Sequence, residues 1–434
     1  MMMRYKIYDN SKNYTCQVIV LPQKQKVEGL DNLVKVTVQG NDCLIGKDSN
    51  QELLYLFFPS ECQLSNDFVS ANCLYRKAEL NSNPELKGFF EENRRVKAVK
   101  FKGVVSSGFV IPITSLHFLG VNTDGLKPGD EFNEIDGIEI CRKYIKKVYV
   151  KNGQKPPKSR IIDEIVDLRM APEHFDTEHL LKNVHKLHFE DVIAVTYKIH
   201  GTSARYYNTL VKRKLGWFES ILKRVGFKIQ DEEYRYVTGS RKVVKSVDFE
   251  ELEDKNHYYS NDLWSRVGEE YFKDKLNQGE AVYCEIIGKT YDGKAIQHGY
   301  TYGLDRPQVM IYRISNINPQ GIEIDLPYKQ MKERASELGL VCCPELYYGT
   351  VYEFLYNHLV DELMSFEEKF DTLLEKPSIL DSSVVEEGFC VRVDSYPRPK
   401  IYKIKSKAFL LHEGVIKDKD LTDMEEQEVA GESV

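Results

Sequence analysis

Up to about residue 140, apolar positions come in short runs (Gln17–Leu21, Leu33–Val38, Leu53–Phe58, Val96–Phe101, Gly108–Ile113) punctuated by Gly, Asn, Asp and Ser. Runs of that length between turn residues predict strands, and strands at that spacing predict an OB-like β-barrel over 1–140. Residues 141–175 predict a connector: Arg142–Lys147 is basic, and Gly153–Lys158 carries paired prolines that no regular element accommodates. From about residue 176 the pattern mixes. Asp191–Ile199, Ser203–Asn208, Val282–Ile287, Val309–Ile314 and Gly388–Val393 predict strands. Leu263–Leu276, Tyr328–Leu338 and Val351–Leu374 predict helices, the last from Phe354, Leu355, Leu359, Leu363 and Phe366 at helical spacing. The expected class is α+β: the barrel, then a second domain over 176–416 with antiparallel sheets and flanking helices, then a tail over 417–434.

Composition narrows this little. Of 434 residues, 42% are hydrophobic and 29% charged, ordinary for a globular chain of two or three domains. No 18-residue apolar run or signal-like leader occurs, so no membrane partner and a cytoplasmic location are expected. Nine cysteines without C-x-x-C spacing predict reduced, mostly buried thiols. The net charge of −7 does not advertise a nucleic-acid binder, but seven acids and two lysines in 417–434 account for most of it. That segment is expected to be disordered.

The candidate chemistry centres on Lys198, in Val195-Thr196-Tyr197-Lys198-Ile199-His200-Gly201-Thr202. A lysine that attacks phosphorus needs a lowered pKa, which nearby cations and burial achieve. Lys403 and Lys405, two apart on an expected strand, point the same way and supply such cations, or lie on a solvated edge. Glu285 stands alone between apolar residues, where burial is costly without partners. Glu387, ahead of Gly388, is a hard oxygen ligand suited to Mg²⁺. Arg241 follows Ser240, and Tyr312 sits in an apolar strand. A P-loop is excluded, because Gly40 and Gly46-Lys47 are one residue too far apart. His188-Phe189-Glu190 has no P-C-x-x-C after it to make a zinc deaminase.

Taken in order, these segments resemble the motifs of the covalent nucleotidyltransferases, and K-x-H-G-T at Lys198 is similar to RNA ligases. The resemblance covers 195–407. It implies that Lys198 carries AMP and that Thr196, Gly201, Arg241, Glu285, Tyr312, Glu387, Lys403 and Lys405 hold the nucleotide. It further implies Glu387 at the metal, with ATP and Mg²⁺ or Mn²⁺ as cofactors. The chain ends soon after Lys405, where DNA ligases and capping enzymes place an OB domain. The run Arg94–Pro112 is similar to the N-terminal module of RNA ligase family 5, the Deinococcus type.

Arg95, Lys97, Lys100 and Lys102 then offer a cationic strand face for RNA, or an ordinary solvated face. Leu210–Lys228, with Lys212 and Arg213 at its start, predicts an amphipathic helix that grips RNA backbone, clamps the active site, or packs on the surface through Trp217. The function implied is an ATP-dependent RNA ligase, acting as a monomer on RNA or an RNA-containing nicked duplex. The alternatives are a capping-type guanylyltransferase, which would take GTP, and a catalytically inactive RNA-binding homologue.

Overall fold

The computed structural model describes residues 5–145, 165–251 and 262–418. The proline-rich part of the expected connector and nearly all of the acidic tail fall outside them. Contacts divide the chain into two units: 1–145 with 365–375 and 405–420, and 146–364 with 376–404 and 421–434. The division departs from the boundaries expected at 140 and 176, because two late helices, Phe366–Leu374 and Lys407–Asp418, fall in the N-terminal unit.

In the N-terminal unit, Gly108–Pro112, Leu54–Pro59, Cys16–Val20 and Glu131–Phe132 form an antiparallel sheet in that order. Gln25–Lys26, Leu33–Val38 and Asn41–Gly46 form a second. Alternation along Leu33–Val38 is strict: Val34, Val36 and Val38 are buried and the residues between them are half-exposed. The strands expected from the apolar runs are present, but they form several small sheets, and no sheet closes on itself among the described residues.

Of the cationic face expected near Arg95, Arg95 itself turns inward and the lysines stay outside. The Arg95 guanidinium is 1% exposed, donates to Glu61 at 2.5 and 2.9 Å, and lies 5.2 Å from the Tyr144 ring. Lys100 and Lys102 are exposed and Lys97 half-exposed; Lys102 sits in a hairpin turn and donates to Gly29 O at 3.0 Å.

Strands and helices of the second unit are labelled here. One five-stranded sheet has the order β1 (Glu178–His179), β11 (Lys400–Lys405), β10 (Gly388–Val393), β2 (Val192–Tyr197), β9 (Glu345–Thr350). The larger sheet runs Glu250–Glu251, β5 (Val244–Val247), β4 (Glu232–Gly239), β3 (Thr202–Lys212), β6 (Glu280–Ile287), β7 (Gln308–Ile317), β8 (Glu323–Asp325), with Val341–Cys342 parallel to β7. One face of β3, β6 and β7 presents Ala204, Tyr206, Val282, Cys284, Ile286, Val309 and Ile314. These pack with helices α2 (Leu263–Tyr271) and α3 (Tyr328–Glu337) into the main core. Asp262 starts α2 by accepting from the backbone N–H of Trp264 and Ser265.

Two helix expectations change. Val351–Leu374 is not one helix. Val351–Leu355 and Phe366–Leu374 each begin with their own capping box, Thr350 with Glu353 and Ser365 with Glu368. Between them a short hairpin pairs Tyr356–Asn357 with Glu362–Leu363. Asp361 there is left-handed (φ 54°) and Leu359 is 95% exposed, so the apolar spacing never formed one face. Over Leu210–Lys228, the first residues extend β3 and only α1 (Trp217–Arg224) is helical. Trp217 does not pack it down: the side chain is 78% exposed.

Candidate active site

β2 ends at Tyr197, and the chain turns through Lys198–Gly201 before β3 begins. Backbone bonds fix this turn: Tyr197 N–H donates to Pro344 O at 2.9 Å and Lys198 N–H to Gly388 O at 2.9 Å. His200 N–H donates to Tyr302 Oη at 3.0 Å, and Gln297 Nε2 to Gly201 O at 2.7 Å. Gly201 does not line the pocket. A Cβ there would sit 2.6 Å from Ile286 O and 2.9 Å from Ile287 Cγ2, so glycine lets the turn lie against β6. Gly388 has φ 148°, a region that glycine occupies at little cost, and this aims its carbonyl at Lys198.

Lys198 thereby enters an open pocket of about 930 Å³, its mouth included, lined by Thr196, Ser203, Arg241, Glu285, Tyr312 and Lys403 among others. Lys198 Nζ lies 2.6 Å from Glu387 Oε1, with 27% of the lysine side chain and 3% of the glutamate side chain exposed. His200 Nδ1 is 3.7 Å from Glu387 Oε2. Burial pulls the Lys198 pKa down, but the carboxylates of Glu387 and Glu285 outweigh it and hold the amine above its ordinary value. The expectation that Lys403 and Lys405 lower it is therefore reversed in this state, because the nearest charges are anionic.

The two adjacent acids do different work. Glu386 is buried and accepts from Ile379 N–H at 3.0 Å and Glu387 N–H at 3.1 Å, which shapes the loop. Glu387 alone reaches Lys198. Lys403 lines the pocket. Lys405 does not: its Nζ pairs with Glu413 at 3.0 Å and lies 5.1 Å from the Phe409 ring.

Tyr312 owes its position to a bulge. Tyr283 pairs with Arg313 but Cys284 pairs with Ile311, so Tyr312 is the unmatched residue of β7. Such a bulge re-aims a side chain. The Tyr312 hydroxyl meets Ser203 Oγ at 2.9 Å. Arg241 donates to Asp176 Oδ1 at 2.9 Å at the pocket's edge.

Residues that the sequence reading left in the connector also line this pocket, namely His174 and Phe175. Ala171–Phe175 is held to the sheet: Arg205 Nη1 donates to Ala171 O at 3.1 Å, Tyr283 Oη to Pro172 O at 3.2 Å, and Arg313 lies 4.8 Å from the Phe175 ring. Burial and then the cations Arg313, Arg241 and Lys403 push the His174 pKa well down, so its ring is neutral. The sequence signal was an aromatic pair just after Ala171-Pro172. Cys342, Cys343 and Cys390 line the pocket as well, and burial raises their thiols, to about 11 for Cys342 and Cys390. They are not thiolates at neutral pH.

Among the described residues, no three His, Cys, Asp or Glu side chains converge as a metal cage. The donors beside Lys198 are two carboxylates, Glu387 and Glu285. That hard, sparse set fits Mg²⁺ or Mn²⁺, which complete their coordination with water and phosphate oxygens. No helix of the described residues is long and apolar enough to cross a membrane.

No curated protein sequence matches. Solved structures do: RNA ligase from Naegleria gruberi, as a mutant with AMP and Mn, aligns with TM-score 0.59 at 15% identity over 92% of this chain and 98% of that one. The same ligase with PPi aligns with TM-score 0.58 at 16% identity over the same shares. At such identity the likeness establishes a shared fold, a mixed α/β architecture. Residues 191–405, which span Lys198, Arg241, Glu285, Tyr312, Glu387, Lys403 and Lys405, match the RNA ligase family model, and through them this chain belongs to the RNA ligase family.

Proposed function

We propose that this chain is an ATP-dependent RNA ligase that joins a 3′-hydroxyl to a 5′-phosphate through a lysyl-AMP on Lys198. The observation that carries the reading is the placement of Lys198 Nζ, 2.6 Å from Glu387, in a pocket that also holds Lys403, Arg241, Glu285 and Tyr312. The Naegleria ligase has been solved with ATP and Mn, with AMP and Mn, and with PPi, the reactant and products expected of such a step.

In the first step Lys198 Nζ forms a P–N bond to the α-phosphorus of ATP. The α–β P–O bond breaks, pyrophosphate leaves with the electron pair, and the lysine gives up a proton. The ammonium must lose a proton before it attacks, and Glu387 is the group in contact with it. Lys403 and Arg241 stand where cations neutralise phosphate charge, and Tyr312 offers a ring to the base. Glu387 and Glu285 would hold a divalent ion, which when bound supplies charge neutralisation at the reacting phosphate. Next, an RNA 5′-phosphate oxygen attacks the same phosphorus and frees the lysine. A 3′-hydroxyl then displaces AMP, losing its proton as the phosphodiester forms.

The substrate we infer is a nicked duplex whose 3′-hydroxyl strand is RNA near the break. The N-terminal unit, in the role of an OB module, touches backbone through exposed lysines such as Lys100 and Lys102. Sealing of matched nicked duplexes with RNA or DNA on each side of the break tests this: an RNA 3′-hydroxyl strand should be required. Equal sealing of all-DNA nicks would overturn the substrate assignment, and an adduct formed from GTP in place of ATP would favour the guanylyltransferase.

A further inference from the structure

The hairpin of β3 and β4 carries a feature that phosphoryl transfer does not use. β3 starts beside Lys198 at Thr202 and runs eleven residues to Lys212. At about 3.3 Å per residue, its far end lies on the order of 30 Å from the pocket. There α1 closes the hairpin. Its position is set by Glu219, which accepts from Gly216 N–H at 2.8 Å and from Arg213 at 2.6 and 3.1 Å.

At 100° per residue, Trp217, Ile221, Val225, Phe218 and Leu222 fall within one arc of about 140°, and Glu219, Lys223, Ser220 and Arg224 fill the rest. An arc of that kind normally faces a core. Here no residue of α1 is buried. Trp217, Phe218, Ile221, Val225 and Phe227 are 78%, 59%, 46%, 65% and 62% exposed. A contiguous apolar face of that kind marks an interaction surface.

Charge identifies the occupant. Residues 212–233 hold six cations against Glu219, Asp231, Glu232 and Glu233. Arg213 pairs with Glu219, Lys223 with Asp231, and Lys212 lies opposite Glu232 across β3 and β4, which leaves Lys214, Arg224 and Lys228 as exposed cations around the apolar face. A second copy of this tip would bring like charges together. A nucleic acid offers stacking to the three aromatic rings, Trp217, Phe218 and Phe227, and nothing to Ile221 or Val225. A mixed aliphatic and aromatic face ringed by Lys and Arg matches the interface of an anionic bilayer, where the apolar arc enters the headgroup boundary and the cations meet lipid phosphates and carboxylates.

We propose that the tip of the β3–β4 hairpin, through α1 and Phe227, docks this chain on anionic lipid membranes while the pocket stays in water. This is peripheral docking, not spanning, and it revises the expectation that no membrane takes part.

The protein carries its own reporter. It has two tryptophans, and Trp264 is buried, with its indole N–H donating to Ser203 O at 3.1 Å. Any lipid-induced change in emission therefore comes from Trp217. The full chain is titrated with phosphatidylcholine vesicles, with and without phosphatidylserine, and followed by fluorescence and co-sedimentation. The expected result is a blue shift and sedimentation only with phosphatidylserine, weakened by salt. Trp217→Phe should keep sedimentation and lose the shift. Lys214→Ala with Arg224→Ala should lower partitioning roughly 25-fold, at about fivefold per charge. Trp217→Ala with Phe218→Ala should abolish it, with adenylation unchanged because α1 has no buried residue. Failure to bind, binding indifferent to phosphatidylserine, or the same Trp217 shift with a short RNA in place of vesicles would each overturn the proposal, the last in favour of base stacking.

Discussion

Arg313→Met tests how the fold holds the nucleotide pocket in shape. The Arg313 guanidinium is fully buried, with Nε 2.5 Å from Asp325 Oδ1 and Nη2 2.8 Å from Glu323 Oε1. It lies 4.2 Å from the Tyr283 ring and 4.8 Å from that of Phe175, a pocket wall. Methionine keeps much of the volume and removes the charge, which leaves two carboxylates, each with 2% of its side chain exposed.

Removing one partner of such a buried pair costs about 3–5 kcal/mol. Arg398 still reaches Glu323 at 2.8 Å, which favours the lower end. For a unit of this size that is a fall in Tm of roughly 6–20 °C, read by thermal denaturation with and without ATP. The sign with pH follows from Glu323, whose pKa is lowered: burial raises it, but Arg313 and the hydrogen bonds outweigh that. Its contribution in the parent protein is present above the ordinary carboxylate pKa and is lost as pH falls through the lowered value. The orphaned Glu323 carboxylate of the variant takes a proton more readily, so the gap between the two proteins should narrow as pH drops below about 5. A loss under about 1 kcal/mol, or a gap that does not change with pH, would refute this account.

Other expectations follow from single contacts. Glu387→Gln should lower the pKa of the Lys198 amine, so its modification by an amine reagent in the metal-free protein should set in at lower pH than in the parent. Gly201→Ala must part the turn from β6, because its Cβ would meet Ile286 O at 2.6 Å; a loss of about 1–3 kcal/mol in thermal denaturation, together with loss of adenylation, is expected. Arg95→Ala should destabilise the N-terminal unit by leaving Glu61 without its buried partner, with little change in RNA affinity by filter binding beyond that caused by unfolding.

Much of the site was legible because its motifs are local. Lys198, Glu285 and Glu387 stand in short sequence patterns, and each proves to lie beside the others. What was not legible depends on register and pairing. Nothing local says that β7 bulges at Tyr312, or that Arg95 turns inward to Glu61. The pKa of Lys198 was misjudged because the cations on β11 were visible in sequence, whereas the distance from Lys198 to Glu387, 189 positions away, was not. The helix expected across Val351–Leu374 failed for a related reason: periodicity alone cannot tell one apolar face from two short helices with a solvent-facing leucine between them. The strands of the N-terminal unit were placed by alternation, but how they group into sheets was not.

In the proposed reaction Lys198 is the nucleophile, and labelling tests that directly. The purified chain, first treated with pyrophosphate to strip any bound AMP, is incubated with α-³²P-ATP and Mg²⁺ or Mn²⁺, denatured and resolved, with Lys198→Ala alongside. An acid-labile adduct is expected on the parent protein, absent from Lys198→Ala and not formed from GTP. Label retained by Lys198→Ala, or no label on the stripped parent protein, would contradict it.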